Sequence, residues 1–364
     1  MTGPAMNYNP SLSTSVVSQE PIEIGQLTPG GEEEWDRFVT ASPSGTFFHL
    51  SGWKTVIERV LGRKCFYLTA RQNGSLLGIF PISWVRSKIF GECLVSLPLG
   101  VYGGVCADDA ATYSALLSAG GKLASELGVK YLEMRNRTEQ FPSSLPGRDL
   151  YVTFTQDLSA GPEKLLQALP RDTRYMVRKS LKAGLDWTED LTLEEFYDLY
   201  ARSVHRLGTP VFSKKLFTCL RSQFGKECRL FGVRKGGKAI AGVLCFYFRD
   251  QVIPYYSGSL PEFNRDAPNN FMYWKLMAQS CEEGYRYFDF GRSKRGTGAY
   301  QFKESWGMQM SGLPYRYQLV RATEVPHISP VDKKFQLSVS IWKQLPFGLT
   351  KILGPTVIRW IPSV

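Results

Sequence analysis

From Gly62 the chain reads GRKCFYLTARQNGSLLG, two β-rich runs that meet at Asn73-Gly74, a dipeptide that favours a tight hairpin turn. The layout returns at Gly225 as GKECRLFGVRKGGKAIAG, turning at Gly236-Gly237. A helical pattern precedes each hairpin, SGWKTVIERVLG in one case and SKKLFTCLRSQFG in the other. Further strands follow each, then a helix and a strand: LLSAGGKLASELGVKYLEMRN in the first copy, YWKLMAQSCEEGYRYFDFGRS in the second. Matching elements keep their order at a nearly constant offset, which is an internal repeat. The pattern predicts an α/β (α+β) chain of two tandem domains, residues 32–157 and 158–322, each a mixed, mostly antiparallel sheet flanked by helices. Residues 1–31, rich in Ser, Thr, Pro and Asn, read as a disordered N-terminal segment, and residues 323–364 as a tail outside the repeat.

Two domains suit 364 residues, since a domain commonly holds about 100 to 200. Lys and Arg total 44 against 33 Asp and Glu, a net charge of +11, which favours an anionic partner: nucleic acid, a phosphorylated substrate or an anionic membrane. The seven cysteines are odd in number, scattered and never spaced as CxxC. That pattern argues against zinc and against a disulfide framework, and for buried thiols in a reducing compartment. His49, His205 and His327 make no ligand pair, so metal catalysis is not expected. No basic residue precedes Arg37 and no signal-peptide pattern is visible. No apolar run nears the ~18 residues of a spanning helix. These features predict a cytoplasmic protein.

The chemistry concentrates in FDFGRSKRGTGAYQFKESWG, Phe288 to Gly307. Acyl transfer to an amine needs a donor, usually on an anionic handle, and stabilisation of a tetrahedral oxyanion. Lys303 supplies positive charge for that purpose; Phe302, Tyr300 and Trp306 either wall a site or fill a core. The glycines of GRSKRGTG can cradle phosphate, with Arg292, Lys294 and Arg295 adding charge. Upstream, in VIPYYSGS, Pro254 cannot donate to a ladder and so implies a bulge. Tyr255 and Tyr256 then point to opposite faces, one toward a cleft where its hydroxyl could relay a proton. Asn269 and Asn270 open the next helix as an N-cap or as substrate ligands. Asp289 accepts the amine's proton or pairs with Arg292. In PRDTRYMVRKSLKAG, from Pro170, Arg171, Arg174, Arg178 and Lys182 form a basic stripe beside an apolar face of Tyr175, Val177 and Leu181. The stripe is a solvated face or a seat for a phosphate-bearing substrate.

The repeated order of helix, hairpin, crossover helix and strand resembles the GCN5-related N-acetyltransferase (GNAT) fold. The doubled form, with YFDFGRS leading to GTGAYQFKESWG, resembles the FemAB-like family of aminoacyl and acyl transferases, and within it the members associated with exosortase and PEP-CTERM exopolysaccharide systems. The resemblance spans about Glu32 to Leu319 and places the functional Phe-Lys pair on Phe302 and Lys303. It implies a transferase with no tightly bound cofactor. The enzyme would move an acyl or aminoacyl group from aminoacyl-tRNA or acyl-CoA onto an amine or hydroxyl of a cell-envelope or exopolysaccharide precursor, with the main cleft in the second domain. In GNAT proteins a glycine loop follows the bulged strand, but LPEFNRDAPNN stands here, so acyl-CoA is expected to bind weakly at that position. An acyl-CoA-dependent acyltransferase in exopolysaccharide biosynthesis and a non-catalytic module for RNA or an assembly partner remain the alternatives. Within the tail, residues 342–364 mix apolar side chains with Lys343, Lys351 and Arg359. That mixture suits peripheral contact with the inner face of a membrane or cover for a sheet edge, and Pro346 and Pro355 preclude one long helix.

Overall fold

The computed structural model describes residues 20–88, 90–326 and 333–361. His327 and most of the expected disordered segment lie outside the described residues. One correction falls within that segment: Glu23–Gln26 is a strand, β1, because the neighbouring strand offers it a free edge from Leu68 to Arg71. The first half continues with α1 (Glu32–Ala41), α2 (Gly52–Leu61), β2 (Cys65–Gln72), β3 (Ser75–Ser87), β4 (Gly91–Val95), β5 (Cys106–Ala107), α3 (Ala110–Glu126), β6 (Tyr131–Arg135) and β7 (Tyr151–Asp157). The second half holds α4 (Pro162–Ala168), α5 (Arg171–Leu181), β8 (Asp186–Thr188), α6 (Leu193–Leu207), α7 (Lys214–Phe224), β9 (Cys228–Lys235), β10 (Lys238–Phe248) and β11 (Gln251–Ser259). After these come α8 (Pro268–Glu282), β12 (Tyr287–Asp289), β13 (Ser293–Lys294), α9 (Gly298–Glu304), β14 (Gln309–Gly312), β15 (Tyr315–Leu319), α10 (Lys333–Gln344) and α11 (Phe347–Ile358).

Both predicted hairpins form. Each has two central residues in the left-handed region, Asn73 (φ 51°) and Gly74 (77°) in one, Gly236 (54°) and Gly237 (78°) in the other, the conformation a two-residue turn requires. Strands run in the order β1-β2-β3-β4-β6-β15 in one sheet, with β5 on β3, and β13-β7-β12-β11-β10-β9-β8 in the other, with β14 on β7. The two copies trade strands. β7, which the sequence counts with the first copy, pairs antiparallel with β12, Phe288 opposite Gln156. β15, counted with the second, pairs antiparallel with β6, Tyr317 opposite Glu133. Each sheet is therefore completed by chain from the other half.

A shared aromatic core joins the units. Phe47, Phe48 and Trp53 from the first meet Phe224 and Phe246 from the second, with Phe47 stacked on Phe246 at 4.4 Å. His49 belongs to this core and is 4% exposed. Its Nδ1 accepts from the Thr46 N–H at 3.1 Å, and its Nε2 donates to the Gly104 carbonyl at 3.0 Å. Burial pushes its pKa down from 6.5 to about 4. The unfolded chain thus takes up this proton below pH 6.5 while the folded chain does not, so stability falls as pH drops. Each unit of the interval costs about 1.4 kcal/mol, so chemical denaturation should show a loss of about 2 kcal/mol from pH 6.5 to about pH 5. In His49→Gln that limb should be flat; an unchanged slope in the variant would remove the assignment.

The C-terminal helices depart from expectation. α10 and α11 are separate helices divided at Pro346, as predicted, but Pro355 sits inside α11. The two helices cover α6, not a sheet edge: His205 lies 3.0 Å from the Leu345 carbonyl and Arg202 stacks over the Phe347 ring at 4.9 Å. Among the described residues no helix is long and apolar enough to cross a membrane.

Candidate active site

β11 and β12 run parallel and pair only at Gln251–Tyr287 and Val252–Phe288. Beyond that point Pro254 has no N–H to give, and the β10–β11 register slips between Leu244 and Cys245, passing over Tyr255. The strands part and leave a splay, with the bulge where Pro254 predicts it. In the first unit the corresponding pair β4–β6 also parts after Val95–Glu133, but that opening is plugged. Arg135, 1% exposed, donates there to the carbonyls of Leu97 and Gly100 at 3.1 and 2.9 Å and pairs with Glu133. Around the second splay Tyr255, Ser257, Tyr273, Phe302 and Lys303 all keep partial exposure.

Tyr255 and Tyr256 do not alternate as predicted, because the bulge adds a residue between paired positions. Their rings meet edge-on at 4.8 Å. Tyr256 is buried against Tyr200, Phe212 and Phe217, and the Tyr255 hydroxyl donates to the Leu99 carbonyl of the first unit at 2.5 Å. Burial pushes both phenols up, as it does that of Tyr273; what sets the pair aside is that Tyr256 is packed in core and the Tyr255 hydroxyl is taken by Leu99. The hydroxyls that do meet at the splay are those of Ser257 and Tyr273, 3.1 Å apart, and sequence reasoning missed both. The one available signal was the polar Ser257 two residues beyond the bulge. The Tyr273 ring packs on Phe290 at 5.0 Å and Phe302 at 5.7 Å, with Trp306 at 6.4 Å. Trp306 fills core at 1% exposure, while Phe302 stays at the rim.

Lys303 lies on α9, whose first turn is capped by the Thr297 hydroxyl accepting from the Tyr300 N–H. Its ammonium donates to three successive carbonyls just past β12, those of Phe290 (2.5 Å), Gly291 (3.1 Å) and Arg292 (3.3 Å). Burial lowers its pKa to about 8; nearby Asp289 opposes that shift and Arg292 adds to it. Tyr300 points elsewhere, its hydroxyl donating to Glu304 at 2.8 Å.

Asp289 corrects the sequence reading most sharply. It is fully buried and its partner is Arg137, not Arg292. It also accepts from Tyr102 at 3.1 Å, Thr153 at 2.6 Å and the Gly291 N–H at 2.8 Å. Arg292 turns away to lie over the Tyr151 ring at 4.7 Å. With four donors converging on it, Asp289 is a joint between the units and has no face open to a substrate amine. Arg137 also lines an open depression of about 560 Å³ with Arg148 and Arg316, but Arg316 is paired with Glu139 and Arg148 donates to the Val325 carbonyl.

α8 begins at Pro268, and its N-cap is Ala267, held at φ 54°. Asn269 and Asn270 are therefore its second and third residues and cap nothing. The basic stripe is only partly as expected. α5 buries Thr173, Val177 and Ser180, whereas Tyr175 and Leu181 are 65% and 44% exposed. Arg178 is exposed, and Arg174 donates to the Gln167 carbonyl at 2.6 Å. Thr173 ties this helix to the end of α9 by donating to the Ser305 carbonyl at 2.5 Å, so the stripe lies beside the helix that carries Lys303. Among the described residues no group of His, Cys, Asp or Glu could hold a metal ion.

Residues 170–304 match the acetyltransferase (GNAT) domain family. Among solved structures, FemX is similar with a TM-score of 0.65 at 15% identity, covering 82% of this chain and 98% of its own. The C-terminal domain assigned to a lysylphosphatidylglycerol synthetase of Agrobacterium fabrum gives a TM-score of 0.55 at 11% identity, covering 91% of this chain and 98% of its own. A tandem GNAT protein of the clavulanic acid biosynthesis pathway gives 0.51 at 10% identity, covering 84% of this chain and all of its own, 100%. No curated protein sequence matches the chain. At these identities the structural likeness is one of fold. The second unit is thus similar to the acetyltransferase (GNAT) domain over residues 170–304, and the chain shares its two-unit fold with FemX.

Proposed function

We propose that the chain is an acyltransferase that moves an acyl or aminoacyl group from an anionic carrier onto an amine or hydroxyl of a cell-envelope or exopolysaccharide precursor. By its sequence resemblance the acceptor belongs to an exosortase and PEP-CTERM type system. The observation that carries the reading is the lodging of Lys303, a cation with a pKa near 8, at the lip of the splay between β11 and β12. The acyl carbonyl enters the splay, and the acceptor nitrogen or oxygen attacks its carbon. The carbonyl electrons move to oxygen, and the Lys303 ammonium stabilises the oxyanion by exchanging its longest contact, 3.3 Å to the Arg292 carbonyl, for it. Collapse reforms the carbonyl and expels the carrier. The proton lost by the acceptor passes through the Ser257–Tyr273 hydroxyl pair to the departing carrier atom.

Aminoacyl-tRNA is the preferred donor in this reading. The stretch after β11 holds a helical turn from Pro261 to Asp266 and then Pro268, with no glycine pair, while basic α5 adjoins α9. The family match over residues 170–304 favours acyl-CoA as the second reading. Retention of labelled donor on the purified protein separates them. Aminoacyl-tRNA should be retained and acetyl-CoA should bind weakly; tight acetyl-CoA binding that is lost on changing Asn269 and Asn270 would reverse the assignment.

A further inference from the structure

The C-terminal helix α11 is packed inside out. On α11 the residues turned inward are Thr350, Gly354 and Ile358, two of them small. Gly354 sits so close to Val211 that a Cβ there would lie 2.8 Å from its backbone. The larger aliphatics face solvent: Leu349 (40%), Ile352 (73%), Leu353 (40%) and Val357 (37%), at the spacing of one helix face. α10 adds exposed Leu337 (66%) and Ile341 (53%), one turn apart. This is no loose tail. Arg63 of the first unit donates to the carbonyls of Arg359 and Ile361 at 3.0 and 3.1 Å, and Lys351 pairs with Asp198 at 3.6 Å. A fixed aliphatic helix face of this kind marks a contact with an apolar phase or partner.

We propose that this face docks on a lipid surface bearing anionic headgroups. The charge around it decides the occupant. From residue 333 to 361 the charged residues are Lys333, Lys334, Lys343, Lys351 and Arg359, with no acidic residue among them, in a chain of net charge +11. A second copy would set like charge against like charge across the contact, whereas an anionic bilayer takes the aliphatic row into its acyl boundary and the exposed Lys343 and Arg359 at its headgroups. The inference does not depend on the transferase reading, because it names a place of action and not a reaction.

Flotation of the full chain with vesicles tests it, comparing phosphatidylcholine alone with equal parts phosphatidylcholine and phosphatidylglycerol. Binding should favour the phosphatidylglycerol vesicles by about tenfold or more and weaken with added salt. Ile352→Glu, at a position 73% exposed, should lower binding about tenfold with the melting temperature unchanged, and Lys343→Glu should lower binding to the anionic vesicles only. Equal binding to both vesicle types, or full binding by Ile352→Glu, would overturn the proposal. Self-association that Ile352→Glu abolishes, without vesicle binding, would assign the face to a second copy instead.

Discussion

Lys303→Met should lower turnover by about 100-fold or more, the usual cost of removing one oxyanion donor, with substrate affinity little changed. The same residue holds three carbonyls at the end of β12, and a buried acceptor left without a donor costs about 1–3 kcal/mol. Melting temperature must therefore be measured beside rate. The pH profile separates the two roles because they have opposite signs. The ammonium is present below its folded pKa of about 8, so turnover should fall as pH rises through that value, well before an ordinary lysine titrates at 10.5. Stability does the reverse: the unfolded chain keeps this proton up to 10.5 and the folded chain gives it up near 8, so Lys303 makes the protein more stable as pH rises across that window. Lys303→Arg keeps the charge in a different shape and should lose the fall near 8 while running slowly at every pH. A folded Lys303→Met protein with normal turnover would leave Lys303 as a strand-end anchor only.

Asp289→Asn should destabilise the chain by about 3 kcal/mol, toward the low end of the 3–5 kcal/mol seen when one partner of a buried ion pair is removed, because Arg137 is 26% exposed while Asp289 is 1%. The asparagine keeps the shape but strips the charge from Arg137 and offers an amide donor where Tyr102, Thr153 and Gly291 already donate. In an Arg137→Met background the same change should cost much less, since no cation is left unpaired. Urea denaturation of the four proteins measures this, and strictly additive losses would reject the joint. Turnover per folded molecule should stay within about tenfold of the parent. A catalytic collapse with stability intact would instead make Asp289 the base that its position at the end of a strand suggests.

The parts of this fold that were legible in the sequence are local. Asn73-Gly74 and Gly236-Gly237 fix two hairpins because their backbones tolerate the left-handed region, and Pro254 marks the bulge because it lacks a donor. The motif around Lys303 singles it out, but not the three carbonyls at the end of β12 that its ammonium holds. The parts that were hidden depend on distant partners. Nothing in the alternation of YVTFTQD tells which sheet will take β7, since an edge strand offers the same pattern to either. Arg137 and Asp289 are 152 positions apart, so the nearer Arg292 looked the better partner. Ser257 and Tyr273 belong to different elements and meet only because the splay brings α8 against β11. Tyr175 and Leu181 fit an apolar helix face by spacing, yet α8 takes the narrower side of Thr173, Val177 and Ser180.

The traded strands govern how the molecule can be made. A nascent chain that has emerged as far as Asp157 carries β7 with no sheet to join, and β6 waits for Tyr315–Leu319, which follows the whole second unit. Translation must pass Gly312 before the second sheet closes and Leu319 before the first does, and contacts of such long sequence separation slow folding and prolong the exposure of bare strand edges. A break in the polypeptide at residue 158 should consequently yield two fragments that aggregate when synthesised apart and recover a soluble complex when synthesised together.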